Sequence, residues 1–142
     1  MATLQAATTS NSAVVTDPQT VRELCENHCF GTLNWEVTED GAFSIWGHDD
    51  FEVYNARESG LPDYEGGIVT HEFLQELAGH LEADEELDIQ TAGFTKCRFP
   101  VLAQRYVVRD GEVLHADLSS PDPIDEPSVT MAFFSEYSVL LC

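Results

Sequence analysis

Two segments of the chain carry apolar residues at helical spacing. The first opens with Asp17-Pro18, where Asp can cap a helix and Pro fits its first turn, and it ends before Gly31. The second begins at Thr70, a favourable N-cap residue. The predicted apolar stripes consist of Val21, Leu24, Cys25 and Cys29 in the first helix and of Phe73, Leu74, Leu77, Ala78 and Leu81 in the second.

Elsewhere apolar and polar residues alternate, which is typical of half-buried strands. Asp40-Gly41 and Asp110-Gly111 are two-residue hairpin signals. The predicted strands cover residues 33–37, 43–45, 51–55, 87–91, 94–99, 102–109 and 113–118, and a last strand begins at Val129 after a proline-rich loop at 119–127. Because the strands come in runs rather than alternating with helices, we expect an α+β fold. Its sheet should be mainly antiparallel, with about 6–7 strands and two helices packed on it.

The length of 142 residues favours one domain. Residues 1–16 are small and polar, and this composition predicts a flexible N-terminal lead-in. Residues 17–142 are then expected to form a single α+β domain.

The charge is strongly one-sided, with 26 Asp and Glu against 6 Lys and Arg and a net charge of −20. Nucleic acids and anionic membranes attract basic surfaces, so bulk charge argues against both as partners. The acidic residues are spread along the chain with only one lysine, Lys96. In this composition the chain resembles the cytoplasmic proteins of salt-in halophilic archaea, whose charge repulsion is screened by molar salt. The alternative is an acidic protein that docks on a basic partner.

The compartment predicted from the sequence is the cytoplasm. The first twenty residues contain no Lys or Arg and no apolar run of signal-peptide length, and no stretch reaches the length of a membrane span. In a reducing cytoplasm the four cysteines are expected to be thiols.

The segment Cys25, His28 and Cys29 is the candidate metal site. Cys25 and Cys29 lie four residues apart on the first predicted helix, and thiolate together with imidazole suits zinc. The alternative is core packing, because both cysteines lie on the apolar stripe and free cysteine is usually buried. In that case no cofactor is expected.

The candidate ligand site comprises Lys96, Arg98, Arg105 and Arg109, four of the six basic residues within fourteen positions. If the chain reverses near Pro100, Lys96 lies opposite Arg105, and such like charges need an anion between them. The anion is either a bound phosphate or carboxylate ligand or the chain's own carboxylates. The candidates among these are Asp88, Glu112 and Asp117.

No P-loop, dinucleotide-binding glycine motif, nucleophile elbow or zincin helix occurs in the sequence. We therefore expect a small cytoplasmic binding or regulatory domain, with a homodimer through an exposed sheet edge as an option. The alternative is an enzyme with a dispersed site, in which His48 or His71 acts as the base and Arg98 or Arg105 holds an anion.

Two smaller clusters complete the candidates. Gly47-His48-Asp49-Asp50 places an imidazole and two carboxylates in one turn, a set suited to a hard cation or to acid–base chemistry, although paired Asp residues are also common in turns. Glu72 falls in the first turn of the second predicted helix, where the helix dipole favours a carboxylate.

Overall fold

The computed structural model of the chain describes residues 5–95 and 99–117. The helices are α1 (Pro18–Glu26) and α2 (Thr70–Ala78). The strands are β1 (Gln5–Ser10), β2 (Ala13–Val14), β3 (His28–Cys29), β4 (Asn34–Val37), β5 (Ala42–Gly47), β6 (Tyr54–Asn55), β7 (Leu87–Thr95), β8 (Phe99–Arg109) and β9 (Glu112–Asp117).

Within these residues, seven strands form one antiparallel sheet. β5 pairs with β4, β1 and β2, and the sheet continues from β1 through β7 and β8 to β9. β3 and β6 form a separate two-stranded sheet. The predicted α+β fold with a mainly antiparallel sheet and two helices is confirmed.

Both described helices pack on the same face of the large sheet, and the hydrophobic core lies between them and the strands. The two hairpins occur where Asp40-Gly41 and Asp110-Gly111 predicted them. The strand alternation is also confirmed, since Phe43, Ile45, Leu87 and Ile89 point into this core. Core side chains from several elements meet there, among them Val21, Phe43, Ile45, Phe73, Leu74, Leu77, Leu87, Ile89 and Val108.

The N-terminal segment differs from the prediction of a flexible lead-in over residues 1–16. β1 is an interior strand that pairs with β5 on one side and β7 on the other. Small residues fit here because the hydrogen-bond ladders on both sides hold the strand, and threonine suits a pleated surface. Thr8 is buried, and its hydroxyl lies 2.9 Å from that of Thr91.

The first helix is shorter than the spacing predicted. α1 ends at Glu26, and Cys29 lies in β3, so the prediction that Cys25 and Cys29 share a helix face is wrong. Asp17 does cap this helix, since its carboxylate accepts a hydrogen bond from Thr20 N at 3.3 Å. The chain leaves the helix early because His28 and Cys29 pair with β6.

The register of β7 and β8 also differs from the prediction. Residues 87–95 form one strand, and Pro100 lies within β8 opposite Phe94 rather than at a reversal of the chain. Arg105 therefore lies opposite Gln90, and the prediction that it lies opposite Lys96 is wrong. Lys96, Arg98, the loop at 119–127 and the strand from Val129 lie outside the described residues. In the part of the chain that the structure describes, no helix is long and apolar enough to cross a membrane.

Candidate functional site

A cavity of about 360 Å³ opens on the helix-bearing side of the sheet, between the start of α2 and β8. It combines carboxylates, an imidazole, an amide and aromatic rings. Its lining residues are Asp50, Phe51, Glu52, Ile68, Thr70, His71, Glu72, Gln104 and Tyr106.

The wall formed by residues 50–53 is tied to the start of α2. Val53 N donates to the buried Thr70 Oγ1 at 3.0 Å, and Val69 N donates to Val53 O at 2.7 Å. Thr70 uses its hydroxyl for this contact, so the prediction that it caps α2 is wrong, and Val69 occupies the cap position. Glu72 lies in the first turn of α2, as the sequence predicted.

The next wall segment is fixed through Asp49. Its carboxylate accepts hydrogen bonds from Thr32 N and Thr32 Oγ1, both at 3.2 Å, and from Asp50 N at 2.9 Å. This close approach requires Gly31, which has a φ of +67°, since a Cβ there would lie 2.6 Å from Asp49 Oδ2. Although burial opposes the charge, hydrogen bonds from Thr32 and Asp50 lower the pKa of Asp49. Asp49 is therefore held as an anion.

Asp50 has the opposite electrostatic environment. Burial raises the pKa of its carboxyl to about 6, and the hydrogen bond with Asp49 and the negative charges of Glu52 and Asp49 act in the same direction. A carboxyl with this pKa exchanges its proton near neutral pH. Strongly shifted carboxyls of this kind are concentrated at functional sites, although ion-pair networks also produce them.

The β8 wall consists of Gln104 and Tyr106, which sequence patterns did not single out. Tyr106 packs edge-on against Phe51 with ring centroids 5.6 Å apart and stacks on His115 at 4.1 Å. Burial, followed by the charges of Asp117 and Glu52, raises the pKa of Tyr106 to about 12, so its hydroxyl stays neutral. Gln104 Nε2 donates to Asp117 Oδ2 at 3.2 Å. The alternation of residues in the predicted strand 102–109, which places Gln104 and Tyr106 on one face, was the only sequence signal for this wall.

The structure separates the residues of the dispersed-enzyme hypothesis. His71 lines the cavity of about 360 Å³ that contains Asp50, called the Asp50 cavity below. His48 lines another cavity, beside Trp46. Arg105 points to the opposite face of the sheet from its neighbour Tyr106, because successive strand residues alternate. His71 and Arg105 therefore do not converge in the Asp50 cavity, and Arg98 lies outside the described residues.

Of the candidate metal residues, Cys25 is packed in the core, and His28 and Cys29 contact backbone oxygens. Cys25 is buried, and burial followed by the charge of Glu26 raises the pKa of its thiol to about 12. His28 Nδ1 lies 2.7 Å from Leu24 O, and Cys29 Sγ donates to Gly60 O at 3.5 Å. Among residues 5–95 and 99–117, no group of three or more His, Cys, Asp or Glu side chains is arranged to hold a metal ion.

The basic residues on β8 face carboxylates. Arg105 makes a bidentate pair with Asp88, with Nε 2.9 Å from Oδ1 and Nη2 2.5 Å from Oδ2, and both side chains are largely buried. Arg109 Nη1 lies 3.4 Å from Glu86 Oε2. Such contacts are expected if the chain's own carboxylates, rather than a bound ligand, neutralise the basic residues. Lys96 and Arg98, the other two members of the cluster, lie outside the described residues.

Comparisons of the chain with protein-family models, curated proteins and solved structures found no match.

Proposed function

We propose that the chain is a binding domain and that the Asp50 cavity takes a positively charged amine or guanidinium group. The observation that carries this proposal is the charge of the cavity wall. Asp50, Glu52 and Glu72 line it, and none of the nine described lining residues is Lys or Arg. A ligand cation is the chemical complement of such a wall.

A bound cation would stabilise the ionised form of Asp50. Burial raises the pKa of Asp50, and the charges of Glu52 and Asp49 act in the same direction, so ionising Asp50 without a nearby cation costs free energy. An incoming cation removes this cost and donates charge-assisted hydrogen bonds, which are about twice as strong as neutral ones.

The anionic-ligand hypothesis for Lys96, Arg98, Arg105 and Arg109 stays a prediction. The pairing of Arg105 with Asp88 and of Arg109 with Glu86 supplies carboxylates to two of these cations. A second anion at Arg105 would have to compete with a bidentate, largely buried partner. The cation hypothesis requires no such competition, and for this reason we favour it.

We also propose that the domain works in the salt-rich cytoplasm of a halophile. The support is the net charge of −20 with a single lysine. An acidic surface of this density repels itself at low ionic strength and is stabilised when salt screens it.

The binding test uses n-butylammonium and methylguanidinium as probes, with n-butanol as the neutral control, at constant ionic strength and about pH 8. We expect chemical-shift changes at the residues of the cavity for both cations and none for n-butanol. Asp50→Asn removes one charge-assisted contact worth about 1.5–3 kcal/mol and should weaken binding by about 10- to 100-fold.

The matched control is Asp40→Asn, which removes the same charge from the exposed β4–β5 turn. It should bind the probes like the wild type. Equal weakening by both variants would attribute the effect to net charge and refute the cavity. A lysine-rich peptide that shifts the same residues would show that a basic protein segment can supply the cation.

A further inference from the structure

A row of polar side chains crosses the face of the sheet that is opposite the two described helices. Residues that pair directly across antiparallel strands point to the same face. The pairs run from Asn34 to Trp46, from Trp46 to Thr9, from Thr9 to Gln90 and from Gln90 to Arg105. Five strands thus place an amide, an indole, a hydroxyl, a second amide and a guanidinium side by side.

Trp46 gives this row an exposed aromatic surface. Its side chain is 42% exposed, although tryptophan is usually largely buried. It lines a cavity of about 580 Å³ together with Asn34 and His48. The indole is therefore accessible beside polar neighbours rather than part of the core.

Gln90 carries the observation that points to a ligand. Its side chain is only 8% exposed, and its Nε2 donates to Asp88 Oδ2 at 3.4 Å. Among the residues that the structure describes, no donor reaches its Oε1. A buried carbonyl oxygen without a donor is costly, and most such oxygens in proteins are satisfied.

A second cavity, of about 260 Å³, provides space for that donor. It is lined by Gln90 together with Thr9, Ser10, Asn11 and Asp88. The hydrogen bond that holds the Gln90 amide is long, and the terminal torsion of glutamine is soft. The Gln90 amide therefore borders a space in which a donor can approach it.

We propose that this row, defined as Asn34, Trp46, Thr9 and Gln90, binds a neutral sugar. The C–H face of a pyranose stacks on the Trp46 indole, and a ring hydroxyl donates to Gln90 Oε1. Asn34 and Thr9 offer further hydrogen-bonding groups to the remaining hydroxyls. β1 and β7, which carry Thr9 and Gln90, are each paired on two sides, so a peptide strand has no open ladder to join at these two residues.

The proposed sugar site is separate from the Asp50 cavity, because that cavity lies on the opposite, helix-bearing face of the sheet. The probes for the row are D-glucose, maltose and cellobiose, titrated into the full chain labelled with ¹⁵N. The chain has two tryptophans, so two indole N–H signals report on binding. We expect at least one of these sugars to shift the Trp46 indole and the Gln90 side-chain amide and to leave the Trp35 indole in place.

Two variants test the assigned contacts. Gln90→Met keeps the length of the side chain and removes the acceptor, and we expect it to weaken sugar binding about tenfold, which corresponds to one hydrogen bond. Gln19→Met makes the same change on the exposed side of α1 and should bind like the wild type. Trp46→Ala removes an exposed ring, so the fold should persist while the sugar response disappears.

The proposal is overturned if none of the three sugars moves either signal, since the Gln90 oxygen is then satisfied by water alone. It is also overturned if Gln90→Met and Gln19→Met bind a sugar with the same affinity. Chemical shifts of the core methyl groups verify that each variant is folded.

Discussion

Replacing Asp50 by Asn should raise the free energy of unfolding at neutral pH and leave it unchanged in acid. In the folded chain the pKa of Asp50 is about 6, against an ordinary value of 3.8. Well below the unfolded value of 3.8 the carboxyl is protonated in both the folded and the unfolded chain, and the stabilising effect of the proton is fully present. As the pH rises through 6, the folded chain loses this proton and the associated stability.

The magnitude follows from the raised pKa. The difference between 3.8 and about 6 corresponds to about 3 kcal/mol for a wholly enclosed group. Asp50 keeps contact with solvent, and screening reduces the expected effect to about 1 kcal/mol. The Asn amide can donate to Asp49 as a protonated Asp50 does, so the variant keeps the local contact without the charge.

The assay is urea unfolding of the wild type and Asp50→Asn at fixed KCl between about pH 3 and pH 8. The expected gain is close to zero at about pH 3 and about 1 kcal/mol at about pH 8. Asp40→Asn, in the exposed hairpin turn, should show no such pH-dependent gain. A gain of equal size at both pH values, or a loss at pH 8, would refute the reasoning. Together with the binding test, this experiment shows whether Asp50 lowers the free energy of unfolding while it increases the affinity for the cation probes.

Three further outcomes are expected. The free energy of unfolding should increase from tenths of molar to molar KCl, because the net charge of −20 repels itself at low salt, and an unchanged urea midpoint would argue against the halophile proposal. Arg105→Ala should lower the free energy of unfolding by about 2 kcal/mol, since it leaves Asp88 largely buried without its bidentate partner, and an unchanged midpoint would contradict this role. In site-resolved mass spectrometry, iodoacetamide should modify Cys25 more slowly than Cys29, because burial raises the pKa of the Cys25 thiol to about 12, whereas equal rates would exclude that effect.

Local sequence patterns predicted the elements that depend on neighbours in the chain. The Asp17-Pro18 start of α1 and the Asp40-Gly41 hairpin occur where the pattern placed them. Both features are set by short-range hydrogen bonds and backbone preference. The fold class followed from the order of such elements. Patterns of this kind did not predict β1, because a segment of Ala and Thr becomes a strand only when partners on both sides supply its ladder.

The candidate site depended on the tertiary structure to a greater extent. The sequence singled out the turn with Asp49 and Asp50 and placed Glu72 at a helix start, but nothing local related them to Tyr106 on β8. Pairing register also decided the surroundings of Arg105, which lies opposite Gln90 and bonds to Asp88 rather than facing Lys96. Composition and short-range periodicity are thus properties of the sequence by itself. The position of charges relative to one another across strands depends on long-range packing, which only the folded chain decides.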